Sequence, residues 1–340
     1  MKADFNTHKG TFLLYPTRLD VWRGKAQPIA ETIVDLCELI ARYEPVVLGV
    51  SPKVSLDAVR VKSPTTVCKR MEYDDVWIRD TGAIPCGDGL VAFGFNAWGG
   101  EEGLYKDWSL DQTVPEQMSE ILQFPLKRVD LVLEGGNLHS NGNGTLIAVK
   151  NTMCNKNRNP GVSVAETERR LKDALGAEKV IFIDEGLVFD ETGGHIDNLC
   201  AFADKKTLLL AWTDEPGNPQ YEVVRKAYQT LTDATGANGE KFEIVKVPLP
   251  SIFHRTQADC EGIEIIQGSK ERVLNEPIQP SYINFIFVNG GVIVPTFGDA
   301  YDEEAIAVFK RVFKDREVRT FPAREIVLGG GGMHCITRNY

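Results

Sequence analysis

The sequence predicts an α/β fold in which one structural unit recurs five times around a propeller-like ring. Pairs of apolar segments joined by turn residues predict β-hairpins, since dipeptides such as Asn-Gly favour the tight turns of antiparallel strands. After each hairpin come a stretch with helical spacing of its apolar residues and one more apolar strand. Five such units in 340 residues suit a closed ring better than a long solenoid.

The clearest unit lies near the C-terminal end. Segments 281–288 and 291–296 read as strands on either side of Asn289-Gly290, a strong hairpin signal. Residues 302–313 have apolar side chains at helical spacing, and residues 317–321 form the next strand.

The other four units keep this order of elements less regularly. From the N-terminus they occupy residues 11–15, 28–43 and 46–50; 66–95, 115–122 and 128–133; 137–139, 145–149, 164–175 and 180–183; and 198–203, 207–212, 219–232 and 242–247. The first unit lacks one strand, and we expect residues 325–333 to supply it and close the ring. The chain is predicted to form a single domain over residues 1–340.

The pattern of elements bears on two other architectures. An ordinary α/β sandwich with several hairpins remains an alternative from the pattern alone. A doubly wound parallel sheet is disfavoured, because hairpins require antiparallel pairs.

The composition predicts a packed globule and argues against two classes of partner. Apolar residues make up 43% of the chain and charged residues 25%, as in ordinary globular domains. A net charge of −10 argues against nucleic acid or an anionic membrane as the main partner and is compatible with a cationic substrate.

The seven cysteines are scattered and show neither zinc-site nor redox-motif spacing. They are Cys37, Cys68, Cys86, Cys154, Cys200, Cys260 and Cys335. Reduced thiols are typical of cytosolic proteins. The N-terminal residues contain no apolar signal-peptide core, and no apolar run approaches the roughly 20 residues of a membrane helix. We therefore expect a cytoplasmic protein.

Charged residues and glycines cluster in four segments near predicted strand ends, at residues 74–80, 134–137, 193–198 and 329–335. The intervals between the first three are close to one unit each, and the last interval is close to two. Equivalent positions of successive units in a ring point towards one axis. We therefore expect these four segments to converge.

Cys335 directly follows His334 and Met333 after a run of four glycines. Glycines allow a loop to present a side chain closely to a ligand. An isolated cysteine is more often a small buried hydrophobe. Beside polar residues and a cationic substrate, however, its thiolate can act as a nucleophile.

His195 lies in the sequence Gly-Gly-His-Ile-Asp and is a candidate general acid and base. The same His-x-Asp pattern also fits half of a metal site or a structural hydrogen-bonded pair. The chain has five histidines, and none forms the paired spacing of a zinc protease.

Asp80, Glu134 and Asp197 are three acids beside glycines and apolar strands. Converging carboxylates repel unless a positive group lies between them. A planar guanidinium fits, because its N–H donors pair with carboxylates in a bidentate manner. Alternatively, Arg79 could fill this place as an internal salt bridge.

The assembled motifs make the chain resemble the agmatine deiminases of the guanidine-modifying (pentein) superfamily over nearly its whole length. The matching stretches are TFLLYPTRLDVWR (11–23), DDVWIRDTG (74–82), GFNAWGG (94–100), VLEGGNLH (132–139), NKNRNP (155–160), DETGGHIDN (190–198), LLAWTDE (209–215), SYINF (281–285), GGVIVPTFGD (290–299) and GGGGMHCIT (329–337). Residues 255–280 match the family pattern poorly.

This resemblance implies a five-bladed pseudosymmetric α/β propeller, the pentein fold, with a central active site. It also implies hydrolysis of agmatine to N-carbamoylputrescine and ammonia in putrescine and polyamine biosynthesis. Such an enzyme is a hydrolase of C–N bonds in linear amidines that works through a covalent amidino-cysteine intermediate.

The resemblance assigns a role to each candidate residue. Cys335 is the implied nucleophile and His195 the general acid and base. Asp80 and Asp197 are implied to grip the guanidinium, and Glu134 to orient His195 and contact the substrate.

Trp77 and Gly194 complete the implied substrate site. The resemblance implies no metal ion or organic cofactor, a small guanidine substrate, and a homo-oligomer. Three other functions stay open: a deiminase of peptidyl-arginine or another guanidine, an amidinotransferase, and a ring-shaped polyamine-binding protein without catalysis.

Overall fold

The computed structural model describes residues 1–340, and five of its sheets share one strand pattern. In four of these sheets an antiparallel pair is followed by a helix and then by a strand parallel to the middle one. The first sheet has two successive parallel pairs and takes its antiparallel strand from the C-terminal end of the chain. No helix has the length and apolar character needed to span a bilayer.

The five sheets follow one another along the chain, and we number the units accordingly. Their strands are Thr11–Leu14, Val46–Val50, Thr66–Arg70 and Arg338–Asn339; Ile84–Cys86, Gly89–Gly94 and Leu126–Val132; His139–Ser140, Thr145–Val149 and Lys179–Ile183; Cys200–Phe202, Thr207–Trp212 and Glu243–Pro248; and Ile286–Val288, Gly291–Thr296 and Glu317–Pro322. A separate two-stranded sheet joins Phe253–His254 to Pro277–Ile278.

One long helix belongs to each unit, and short helices fill several connections. The long helices are Gln27–Ile40, Val114–Leu122, Val164–Leu175, Tyr221–Asp233 and Asp302–Val312; the shorter α-helices are Ile78–Thr81, Lys150–Met153, Ile196–Leu199, Gln257–Cys260 and Arg324–Val327. Short 3-10 helices lie at Gly24–Ala26, Leu56–Ala58, Gly100–Glu102, Asp111–Thr113 and Gly135–Asn137.

The helix of the fifth unit, Asp302–Val312, shows why these segments are helical. Three acids lie in its first turn and two basic residues in its last, which matches the helix dipole. Its buried face consists of Ala305, Val308 and Phe309. These spacings place all three on one side.

Contacts between neighbouring units close the ring. Helix Asp302–Val312 packs on strand Glu243–Pro248 of the unit before it, and Tyr221–Asp233 packs likewise on Lys179–Ile183. Helix Gln27–Ile40 of the first unit contacts Arg324–Val327, which follows the fifth. The predicted five repeated α/β units are therefore confirmed.

The strand that completes the first unit comes from a different segment than expected. Residues 325–333 were predicted to be this strand, but they contain the end of helix Arg324–Val327 and a glycine turn. Arg338–Asn339 instead pairs antiparallel with Thr11 and Phe12. Four consecutive glycines favour a turn over a strand, so the closing strand forms beyond them.

A second boundary also differs. Residues 66–70 were grouped with the second unit, yet Thr66–Arg70 pairs parallel with Val46–Val50 and is the last strand of the first unit. The local sequence predicts a strand here, but pairing partners are set by long-range contacts.

A short turn precedes the first strand of every hairpin. These turns are Ile78–Thr81, Gly135–Asn137, Ile196–Leu199, residues 281–284 and residues 333–337. Because the units form a ring, equivalent turns meet near its axis, and they carry the candidate functional residues.

Candidate active site

The structure brings the five predicted catalytic residues together at the inner turns. His195 Nδ1 lies 3.7 Å from Asp80 Oδ2, and His195 Nε2 lies 3.9 Å from Glu134 Oε2. Cys335 Sγ lies 3.5 Å from Asp197 Oδ2. All five side chains are buried.

Gly136 marks the point where three of these side chains converge. A Cβ at this position would lie 2.8 Å from both Asp80 Oδ1 and His195 Nδ1, and 3.1 Å from Asp197 Oδ2. These distances are shorter than ordinary van der Waals contacts. Only glycine leaves room for this arrangement.

A cavity opens onto these residues. It is lined by Trp77, Asp80, Trp98, Leu104, Tyr105, Glu191, Thr192, His195, Asn198, Gly329, Gly330, Gly331 and Cys335. Its aromatic wall can face a cationic ligand, since the electron-rich faces of aromatic rings attract cations.

Trp77 is held firmly in this wall. Its ring stacks on Trp22 with centroids 5.6 Å apart, and its Nε1 donates to Tyr105 Oη over 2.7 Å. Tyr105 in turn donates to Asp75 Oδ2 over 3.2 Å. The pocket wall is thus fixed by a hydrogen-bonded chain.

The Cys335 sulfur faces two hydrogen-bond donors. Asn284 Nδ2 and the backbone N of Gly332 each lie 3.3 Å from Sγ. Burial, followed by the negative charges of Asp197 and Asp80, raises the pKa of this thiol well above its usual value. The free site therefore holds a neutral thiol, and a bound cation would favour the thiolate.

His195 has one nitrogen ready for a ligand. Burial alone would lower the pKa of His195, but Asp80 and Glu134 raise it overall. Its Nε2 is buried without a hydrogen-bond partner. The ring can therefore carry a proton and donate it into the cavity.

A separate neighbour orients each of the three carboxylates. Trp98 Nε1 donates to Asp80 over 2.8 Å, Arg158 Nε to Glu134 over 2.7 Å, and His334 Nδ1 pairs with Asp197 over 2.8 Å. Asp197 Oδ1 has no partner. The carboxylates are therefore held in place before any substrate binds.

Burial raises the pKa of Asp80, with further increases from Asp197 and Glu134. Burial would also raise the pKa of Asp197, but His334 lowers it overall. The cluster thus has excess negative charge that a guanidinium would relieve.

Arg79 does not supply the positive charge between these acids. Its Nη1 lies 3.4 Å from Asp4, and its Nε donates to the carbonyl of His334 over 3.1 Å. The alternative of Arg79 as the internal partner of the three carboxylates is therefore wrong.

Sequence reasoning missed Asn284, although its segment was noted. The interval between His195 and Cys335 spans two units, and Asn284 lies on the turn of the skipped fifth unit. Its side chain also accepts from His334 N over 2.8 Å and donates to Asn198 Oδ1 over 3.0 Å. The repeat itself was the signal that could have found it.

The poorly matching segment 255–280 reaches the mouth of the cavity. Lys270 and Arg272 both bind Glu191 Oε1, whereas Glu191 Oε2 is buried without a partner. Burial would raise the pKa of Glu191, but Arg272 and Lys270 lower it to about 2. Glu191 therefore offers a charged oxygen to the cavity.

Backbone atoms of neighbouring residues pack closely around Gly194. Its φ is +96°, its carbonyl accepts from Thr152 Oγ1 over 2.7 Å, and a Cβ here would lie 2.7 Å from Gly186 Cα. Its implied contact with the substrate stays a prediction.

The whole chain matches known proteins. A family model described as Porphyromonas-type peptidyl-arginine deiminase matches residues 1–340. The agmatine deiminase of Pseudomonas aeruginosa (strain LESB58) is 40% identical over 346 residues, covering 99% of this chain and 94% of the relative.

Solved structures show the same likeness. Agmatine deiminase of Enterococcus faecalis superposes with a TM-score of 0.95 at 31% identity, covering 100% of this chain and 94% of that one. DDAH from Pseudomonas aeruginosa superposes with a TM-score of 0.55 at 13% identity, covering 98% of this chain and 100% of the other. The second likeness concerns the fold alone.

Proposed function

Because the chain belongs to the Porphyromonas-type peptidyl-arginine deiminase family and, within it, to the agmatine deiminases, we propose that it hydrolyses agmatine to N-carbamoylputrescine and ammonia with Cys335 as the nucleophile. The observation that carries the proposal is the position of the Cys335 thiol. It faces buried Asp197 over 3.5 Å at the base of a cavity that also contains His195.

Substrate binding prepares the nucleophile. The guanidinium pairs with Asp80 and Asp197, whose oxygens converge around Gly136, and offsets their charge. Since those charges help to raise the pKa of Cys335, binding favours release of the thiol proton to solvent. Asn284 and Gly332 then donate hydrogen bonds to the thiolate.

The first half-reaction forms a covalent intermediate. Cys335 Sγ attacks the central guanidinium carbon and forms a C–S bond. Protonated His195 gives its proton to one nitrogen, the C–N bond breaks, and ammonia leaves. A positively charged amidino-thioether remains, stabilised by the neighbouring carboxylates.

The second half-reaction consumes one water. His195, now neutral, removes a proton as the water oxygen bonds to the amidino carbon. The C–S bond then breaks and returns its electron pair to sulfur. The remaining hydroxyl proton leaves as the ureido product forms, and reprotonation of the thiolate restores the free site.

Glu191 is a candidate partner for the amine tail of agmatine. Its Oε1 is bound by Lys270 and Arg272, and its free Oε2 can accept from the terminal ammonium of agmatine.

The product supports a pathway for this reaction, and the cysteines support a cellular compartment. N-Carbamoylputrescine contains the carbon chain of putrescine, so we place this step in putrescine biosynthesis. The seven cysteines are all free, which supports a reducing cytoplasm as the place of work. Assembly into a homo-oligomer stays a prediction.

The test compares agmatine, arginine and a peptidyl-arginine as substrates while ammonia and ureido product are measured. We expect turnover of agmatine above the other two, and none in Cys335→Ala. Cys68→Ala, which changes a half-buried thiol on strand Thr66–Arg70, is the matched control and should retain activity.

Two results would reject the proposal. Turnover of another guanidine without turnover of agmatine would overturn the substrate assignment. Full activity in Cys335→Ala would overturn the mechanism. Trapping of the amidino-enzyme by acid quench and mass spectrometry should place the added mass on the peptide containing Cys335.

A further inference from the structure

His334 lies between two carboxylates on opposite sides of its ring. Its Nδ1 is 2.8 Å from Asp197 Oδ2, and its Nε2 is 2.8 Å from Asp4 Oδ2. The His334 side chain is 4% exposed, and those of Asp197 and Asp4 are 0% and 11% exposed. One imidazole ring therefore connects the N-terminal segment to the carboxylate of Asp197.

The geometry requires a particular charge state for this ring. Ionised carboxylates only accept hydrogen bonds, so a ring with each nitrogen facing one must carry both protons. Burial would raise the pKa of Asp4, but Arg79 and then His334 lower it well below its usual value. With the lowered pKa of Asp197, both partners are anions.

The other groups around His334 fit this arrangement. His139 stacks on the ring with centroids 5.2 Å apart, and burial lowers the pKa of His139 to about 4, which keeps it neutral. Arg79 donates to the His334 carbonyl over 3.1 Å, and the Arg338 guanidinium donates to the Arg79 carbonyl. The neutral His139 therefore adds no charge to the ring on which it stacks, and Arg79 and Arg338 form a hydrogen-bonded chain beside it.

A metal ion is the competing interpretation of this cluster. Asp4, His139 and His334 offer ligand atoms within 4.8 Å of one another. Both ring nitrogens of His334, however, already face carboxylates, and the cationic Arg79 lies beside Asp4. A nearby guanidinium disfavours a bound metal cation.

We propose that His334 is a positioning residue, an imidazolium clamped between Asp4 and Asp197 that holds the Asp197 carboxylate towards the substrate. The inference rests on the proposed function, because it assigns Asp197 to the guanidinium. Asp4 acts through His334 and touches no reacting atom. The first residues of the chain thereby support a site carried by the ring.

This arrangement serves the site in two ways. It fixes Oδ2 of Asp197, the oxygen that lies 3.5 Å from Cys335 Sγ, and leaves the buried Oδ1 without a partner, so that the carboxylate can still accept from the guanidinium. It also offsets one of the negative charges that raise the pKa of Cys335. Loss of His334 should therefore weaken substrate binding and make the thiolate harder to form.

The test is a double-mutant cycle of His334→Gln and Asp4→Asn with agmatine as substrate. Loss of a charged buried hydrogen bond should lower kcat/KM roughly 10- to 100-fold in His334→Gln and about 3- to 10-fold in Asp4→Asn. The double variant should match His334→Gln within about twofold, because Asp4 is linked to Asp197 through His334. The exposed acid Asp57 supplies the matched control Asp57→Asn, which should be neutral.

A spectroscopic measurement tests the ring itself in folded full-length protein. The chain has five histidines, and the signals that disappear in His334→Gln identify this ring in a spectrum of ¹⁵N-histidine-labelled protein. We expect a proton on each ring nitrogen of His334, hydrogen-bonded to the carboxylate it faces, and a changed Nε2–H signal in Asp4→Asn.

Each outcome decides the proposal. A neutral His334 ring, equal losses from Asp4→Asn in both backgrounds, or unchanged kcat/KM in His334→Gln would overturn it. Zn²⁺ bound by the wild-type protein and lost in both variants would instead assign a metal site and also overturn it. If wild-type protein does not turn over agmatine, the proposed function fails, while the spectrum still reports the ring independently.

Discussion

The inner turns and the mouth segment 255–280 differ in how the fold builds them. Each inner turn precedes the hairpin of a repeated unit, and its functional side chains are buried, as in His195 at 1% and Cys335 at 5% exposure. The mouth segment lies between two units, and its strand Pro277–Ile278 pairs with Phe253–His254, which directly precedes the segment. Ile265 and Leu274 in this segment are 77% and 51% exposed.

This difference separates the chemistry from the choice of substrate. The ring fixes the reacting groups through packing on every side, which limits what substitution can tolerate there. The mouth segment acts on the cavity through Lys270 and Arg272, which bind the cavity-lining carboxylate of Glu191. Inner changes should therefore affect the reaction rate, and mouth changes should affect recognition of the amine tail.

The largest effect should follow Gly136→Ala. The new methyl group would lie 2.8 Å from Asp80 Oδ1 and His195 Nδ1, so both side chains must move. Because misplacement of reacting groups is costly, we expect kcat/KM for agmatine to fall about 1,000-fold or more.

The control for this change is Gly217→Ala, where a Cβ would meet nothing within 4 Å. It should leave kcat/KM and the melting temperature nearly unchanged. Substantial activity in Gly136→Ala would show that the inner turns tolerate displacement. It would contradict the proposed difference between the inner turns and the mouth segment.

Asn284→Ala should have the next largest effect. It removes one of the two donors that lie 3.3 Å from Cys335 Sγ, along with the acceptor of His334 N. Loss of a donor to a developing anion costs roughly 100-fold in kcat. Steady-state kinetics and circular dichroism would separate this loss from unfolding, and wild-type kcat would exclude Asn284 from the site.

The pH dependence of thiol alkylation compares the two regions directly. Burial and nearby acids raise the pKa of Cys335, so the neutral thiol dominates and the thiolate appears only as pH rises. In free enzyme at pH 8, Cys335 should react at least about tenfold more slowly than a small reference thiol, since one pKa unit is a factor of ten.

Peptide mass spectrometry after treatment with iodoacetamide can follow each thiol separately. The half-buried Cys260 of the mouth segment should react faster than Cys335. Asp197→Asn should accelerate Cys335, because it removes a charge that opposes the thiolate. Rapid alkylation of Cys335 at neutral pH would contradict the proposed coupling of cation binding to thiol ionisation.

The smallest of these effects should come from Glu191→Gln. The change removes the charge offered to the ammonium of agmatine but keeps a similar shape. We expect KM to rise about tenfold with kcat nearly unchanged. Ile265→Ser, on the exposed part of the mouth segment, should change neither constant, and a large fall in kcat in Glu191→Gln would assign it to the chemistry instead.

Local sequence patterns predicted many elements accurately. Strands Thr145–Val149, Thr207–Trp212 and Gly291–Thr296 and helix Val164–Leu175 have the predicted bounds. Segment 281–288 forms a strand only from Ile286, because the preceding residues make a turn in which Ser281 Oγ donates to the carbonyl of Asn198. Such tertiary contacts override local strand preference.

The candidate site shows a similar division. Cys335, His195 and the three acids were recognisable because reactive groups lie beside glycines in the sequence. Asn284 and His334 were not assigned, since their roles depend on partners contributed by distant segments. The structure places Asn284 against Cys335 and His334 against Asp4.

The closing strand of the first unit also brings the two chain ends side by side. Lys9 N donates to the carbonyl of Tyr340 over 2.7 Å, and Met1 and Tyr340 line one surface pocket. Neighbouring ends of this kind permit circular permutation. A short linker from residue 340 to residue 1 and a new opening at exposed Gly217 would keep all five turns in place, so the ring depends on its cyclic order and not on which unit comes first.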